Sequence, residues 1–155
     1  MELNIAFAVN DFDRLEPKHF GDAHKYLIYQ WNERDMHFLE ALNNPTRDMD
    51  ISHEHGSENK GNYLINILKQ KEVRVLVSRQ FGANLKRVNQ HFIPVLVSTS
   101  NKDEACDIVS KGIKWIIEDI FRDPLSYKLF DLRSGAMKIP VEDFQNGHSR
   151  GDLQT

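Results

Sequence analysis

Leu3 to Val9 is a nearly unbroken apolar run that stops at Asn10-Asp11, the pattern of a strand buried on both faces. Asp11 to Lys25 is a polar loop holding Pro17 and Gly21. Tyr26 to Trp31 is aromatic and branched, as strands prefer, and Met36 to Leu42 follows it across a polar turn of hairpin length, Asn32 to Asp35. These three segments predict an antiparallel meander. Asn43 to Gly61 is then a long polar stretch with Pro45, His53 and His55, read as a loop. After it the period changes: Leu64, Ile67, Leu68 and Lys71 follow helical spacing, with Asn59 or Asn62 available as a cap. Val73 to Val77 is a short branched strand, Ala83 to Gln90 a short helix with Leu85 and Val88 inward, and Phe92 to Val97 another strand. Pro94 places that last strand at an edge or restricts its pairing.

The clearest helix opens at Ser100. Ser100-Asn-Lys-Asp103 has capping-box spacing, and Ala105, Ile108, Val109, Gly112, Ile113, Ile116, Ile117 and Ile120 form one apolar stripe. Gly112 lies on that stripe, where it reads as a close-packing position, and Asp123-Pro124 ends the helix. From about Arg133 the chain is polar. The expected architecture is a single α/β domain over residues 1–132, followed by a loosely ordered polar tail over 133–155. The order β-β-β-α-β-α-β-α gives a mixed five-stranded sheet with helices on its faces. In that arrangement strands one, three, four and five run the same way. Their carboxyl ends bring together the loops Asn10 to Lys25, Asn43 to Gly61, Ser78 to Gly82 and Ser98 to Asn101, the edge at which such sheets bind ligands.

Composition narrows the partners. The chain has 155 residues, with 20 Lys plus Arg against 23 Asp plus Glu, so it lacks the basic excess that nucleic-acid binding draws on. Its 40% hydrophobic and 28% charged residues are those of an ordinary globular domain. One cysteine, Cys106, excludes an internal disulfide framework and a four-cysteine zinc or iron–sulfur site. The apolar run at the start is too short for a signal sequence or a membrane span, so a cytoplasmic location and no membrane partner are expected.

Two segments on the predicted edge carry recognisable motifs. Lys18-His-Phe-Gly-Asp-Ala-His-Lys-Tyr-Leu-Ile-Tyr29 resembles the HFGxAxxFxIY signature of the dinitrogenase iron–molybdenum cofactor biosynthesis family. The His- and Gly-bearing Ser52-His-Glu-His-Gly56, the helix after it, Val73-Arg-Val-Leu-Val-Ser-Arg-Gln-Phe-Gly82 and Phe92-Ile-Pro-Val-Leu-Val97 follow the same family order, over residues 3 to about 120. The resemblance implies a ribonuclease-H-like fold. It also implies a non-enzymatic binding or carrier module for an iron–sulfur or iron–molybdenum-type cluster or a metal ion, together with a partner protein. One departure stands out: the family's glycine-rich turn after the fourth strand is Ser78-Arg-Gln-Phe-Gly82 here. Only Gly82 remains, and Arg79 and Phe81 are expected to fill space a ligand would use.

The residues themselves give candidates and alternatives. His19 is a candidate metal ligand beside Phe20 and Gly21, where a missing side chain lets backbone approach a bulky cofactor; alternatively Phe20 packs inward and His19 only bonds a loop carbonyl. His53 and His55 have a spacing that reaches one metal from an extended segment, and His19 or a carboxylate would have to complete the set. Alternating His and Glu is also what a solvated loop contains. Gly82, after a strand and before a helix, is the remaining cofactor-binding candidate. Cys106 reads as a core thiol, although its place in the first turns of a helix would by itself lower its pKa. A metal-dependent nuclease would need several carboxylates around the strand ends, and the first strand carries none. The alternative to a metal carrier is a metal-free regulatory or scaffold protein that keeps the fold, a reading the altered turn favours.

Overall fold

The computed structural model describes residues 1–47, 56–122, 125–134, 137–139 and 141. The apolar run at the start forms β1 (Leu3–Val9), buried on both faces at every position but the half-buried Asn4. Leu3, Ile5, Phe7 and Val9 point to one face, Ala6 and Ala8 to the other. β2 (Lys25–Trp31) pairs antiparallel with β1 and with β3 (Met36–Asn43), giving the expected meander. The hairpin between β2 and β3 closes through Asn32, whose side-chain oxygen accepts from the N–H groups of Arg34 and Asp35, while Glu33 takes a left-handed φ of 81°.

Three crossovers extend the sheet on the other side of β1. Helix α1 (Gly56–Gln70) leads to β4 (Val73–Ser78), parallel to β1. A one-turn helix α2 (Leu85–Val88) leads to β5 (Ile93–Leu96), parallel to β4. The long helix α3 (Lys102–Phe121) follows. The sheet order is β3-β2-β1-β4-β5-β6-β7, with β6 (Leu129–Asp131) parallel to β5 and β7 (Met137–Ile139) antiparallel to β6.

The α/β class and the mixed sheet are as expected, and the strand count is corrected from five to seven. β6 and β7 are three residues each, too short to show alternation. They are held by pairing and by burial of Leu129 and Phe130, and β7 falls in the segment expected to be a loose tail. Pro94 does not put β5 at an edge. It restricts pairing: the β5–β6 ladder begins only at Val95.

The helices differ from expectation at their starts. α1 begins at Gly56, so Asn59 and Asn62 are interior to it and not caps, and the polar connection before it is correspondingly shorter than Asn43 to Gly61. Its buried positions are Leu64, Ile65 and Leu68, with Ile67 only half-buried. α3 is capped one residue later than the spacing suggests. Asn101 accepts from the Glu104 N–H at 2.9 Å, and Ser100 instead receives the Arg14 guanidinium at 2.7 Å.

The two faces of the sheet carry two cores. Ala105, Val109, Ile113 and Ile116 of α3 pack on Phe7, Tyr29, Val75, Val77, Ile93 and Val95. Each fully buried aliphatic or aromatic side chain here contributes about 1.5–3 kcal/mol. Gly112 is buried on the same stripe, and a Cβ there would come within 3.4 Å of Leu132 Cδ1, so the helix and the chain after β6 touch through it. Opposite, α1 and a single 3-10 turn at Phe20–Asp22 cover Ala6, Ala8, Tyr26, Ile28 and Leu76. Cys106 belongs to the α3 core. Burial pushes its thiol up to about 11, which outweighs any help from the helix N-terminus. Among the described residues, no helix is long and apolar enough to cross a membrane.

Candidate functional site

β1, β3, β4, β5 and β6 all point one way, so their carboxyl ends share one edge, and the 3-10 turn at Phe20–Asp22 sits on it. The turn is fixed from three directions. Towards β4, the Phe20 N–H donates to the Gln80 carbonyl at 3.0 Å and His19 bridges Gln80 in parallel register. From below, the buried Tyr26 hydroxyl donates to the Phe20 carbonyl at 2.8 Å, and the two rings stack at 4.7 Å. Burial also drives the Tyr26 phenol far above its ordinary pKa, so it stays a donor. From the side, the amide of buried Asn44 donates to the carbonyls of Gly21 at 3.0 Å and Ala23 at 2.8 Å. The Asn44 oxygen in turn accepts from the N–H and hydroxyl of Thr46. Every exposed feature of the turn therefore rests on a hydrogen-bonded base, the arrangement that holds a ligand-contacting group in place.

What the base presents is His19. Its side chain is 48% exposed, and its Nδ1 lies 3.9 Å from the Asp22 carboxylate. The ring lies over Gly82: a Cβ there would stand 2.6 Å from Nδ1 and 3.0 Å from Cγ and Cε1. No side chain but hydrogen fits at position 82 with the ring where it is. Nε2 is left as the ring nitrogen away from the glycine. Asp22 also pairs with Lys60 of α1 at 3.3 Å. Beyond it, Asp11 pairs with His24 at 3.0 Å, and that hydrogen bond holds the Asp11 carboxyl below the usual range.

Two hollows flank His19. One is a shallow polar dish lined by Pro17, Lys18, His19, Asp22 and Gln80. The other is a deeper cavity of about 280 Å³ running between the turn, α1 and α2, with an apolar floor. Arg79 and Phe81 line neither. Phe81 turns inward and stacks on Phe20 at 6.0 Å, so the residue expected to occupy ligand space supports the turn from beneath.

Of the sequence candidates, the structure brings His19, Phe20, Gly21 and Gly82 together, with Phe20 buried as a packing residue and His19 outward. His53 and His55 lie outside the described residues. Among the described residues, no three His, Cys, Asp or Glu side chains converge on one point. Asn44 and Lys60 were not singled out by sequence reasoning. The signal for Asn44 was its turn chemistry, since Asn44-Pro45-Thr46 lets the asparagine oxygen accept from the backbone two residues on.

No curated protein matches the chain. A family model described as dinitrogenase iron-molybdenum cofactor matches residues 1–112, a span that holds β1 to β5, the His19 turn and the first half of α3. With the match covering well over half its length, the chain belongs to the dinitrogenase iron–molybdenum cofactor family.

Proposed function

We propose that the protein is a non-enzymatic carrier that holds an iron–sulfur or iron–molybdenum-type cluster, or a metal ion, as cargo through His19 Nε2. The observation that carries this reading is the seating of the His19 ring: half exposed, directed by Gly82 and placed on a turn that three sets of hydrogen bonds immobilise. A histidine retained for packing would be buried, and one in a solvated loop would have no need of the glycine beneath it. Asp22 stands 3.9 Å from Nδ1, too far for a hydrogen bond in this structure but on the side from which a carboxylate that moved closer would hold Nδ1–H and leave Nε2 as the donor atom.

The donor set suits cargo better than a resident metal. A structural zinc site closes with four protein ligands. Here His19, with Asp22 behind it, offers a single handle at an open edge, which supports capture and release of a group that brings most of its own coordination. β3 ends on the same edge, and under this reading His53 and His55, which follow it in the chain, add ligands when cargo is present. No step of bond making within a substrate is needed, and the residues at the edge supply binding and orientation alone. A partner protein that receives the cargo follows from the same logic.

The test is elemental analysis and visible absorption on untagged protein, purified without oxygen and reconstituted with ferrous iron and sulfide. Stoichiometric iron that falls in His19→Ala, and again in a His53/His55 double variant, is the expected result. Protein that stays colourless and metal-free after reconstitution overturns the reading in favour of a metal-free scaffold.

A further inference from the structure

The cavity on the α1 side of His19 has a chemistry unlike a metal site, and we propose that it binds a small organic molecule with an apolar body and one carboxylate. Its floor is formed by Leu64 and Leu68 of α1, Leu76 of β4, Val88 of α2 and Phe92. A cavity of about 280 Å³ corresponds to roughly nine waters at liquid density, at about 30 Å³ each, but walls of this kind offer water few hydrogen-bond partners. Such a space favours an apolar occupant of on the order of eight to ten non-hydrogen atoms.

The mouth sets the head group. Lys60 stands at the rim with its side chain only 19% exposed; its partner Asp22, 3.3 Å away, lines the same rim but is 57% exposed, so the ammonium is the more enclosed of the two charges and the less screened. Asn84 lies across the opening, and its amide nitrogen would be 3.3 Å from a Cβ placed on Gly61. An ammonium and an amide donor at one rim fit a carboxylate. Gly61 itself supports an open mouth. It lies inside α1, where glycine costs about 1 kcal/mol relative to alanine, and a side chain there would project onto Asn84 and Arg87 across the entrance.

This site goes beyond metal carriage, and its test uses metal-free protein so that failure of either reading leaves the other standing. Full-length protein labelled with ¹⁵N is titrated with octanoate and, in parallel, with 1-octanol, which has the same chain without the charge. Saturable shifts of the Leu64, Leu68 and Val88 amides are expected with octanoate, at an affinity at least tenfold above that for the alcohol. Lys60→Met is expected to remove that tenfold preference and leave 1-octanol binding unchanged. Leu68→Trp, which fills the floor, is expected to abolish both; if it does not fold, Gly61→Leu closes the mouth from a position where only flexible side-chain ends must move. Absence of saturable shifts with either probe overturns the site. Equal binding of both overturns the assignment of a carboxylate head.

Discussion

Gly82→Ala separates placement of His19 from stability of the fold. The new Cβ would lie 2.6 Å from His19 Nδ1, so the ring must retreat by about 0.8 Å at its nearest atom to reach ordinary van der Waals contact. The obstacle is the end of a half-exposed side chain with water to move into, not backbone. Turning the ring away from its preferred rotamer costs about 0.5–1.5 kcal/mol. Gly82 is not in the left-handed region, so alanine there recovers about 0.4–1 kcal/mol by restricting the unfolded chain. The two effects nearly cancel, and the net change lies within about 1 kcal/mol, which for a domain of this size is a shift in Tm of about 2–4 °C in either direction. Yet the imidazole is displaced from its seat. Thermal unfolding followed by circular dichroism, together with iron content after reconstitution, reads both quantities. The expected outcome is a nearly unchanged Tm with iron reduced as far as in His19→Ala. Wild-type iron loading would refute the role of the glycine seat. A Tm lowered by more than about 8 °C would show that the His19–Gly82 contact belongs to the core.

Three further outcomes test the base of the site and the buried thiol. Asn44→Ala strands the carbonyls of Gly21 and Ala23 and the Thr46 donors in a buried place, so urea denaturation should show a loss of about 2–4 kcal/mol; a loss below 1 kcal/mol would mean the turn is held without it. Cys106, with its pKa raised by burial to about 11, should react with iodoacetamide at pH 8 about 100-fold more slowly in native protein than in urea. Because the raised pKa belongs to an acid, its neutral form favours folding below pH 9, and that contribution fades as pH climbs from about 9 towards 11. Tm measured against pH for the wild type and Cys106→Ala should diverge only in that window.

Long periodic elements were legible in the chain itself. β1 through β5 and α3 announce themselves by apolar runs and a stripe, and their order alone sets the parallel directions that gather the loops on one edge. His19 and Gly82 could be named as candidates, but not that one ring lies on the other, because that contact depends on the β1–β4 register. β6 and β7 escaped notice since three residues carry no period. The cap of α3 was misplaced by one residue because Ser100 and Asn101 are both good caps, and only the pull of Arg14 on Ser100 decides between them. Phe81 looked obstructive in sequence because its direction depends on Phe20, a residue far away along the chain.

The pairing of β1 with β4 also has a kinetic side. His19 lies in the connection from Asn10 to His24 within the meander, whereas Gly82 arrives only after some 70 residues of chain have closed, as the pairing of Ile5 with Val75 requires. Closing a hairpin restricts little of the chain; closing this span restricts much more. The imidazole and its seat thus meet across the costliest join in the sheet. A chain still emerging from synthesis, or one opened along that join by local unfolding, retains a complete β1–β2–β3 hairpin yet has nowhere to rest its histidine. Under the carrier reading proposed above, cargo capture waits until β4 has joined β1.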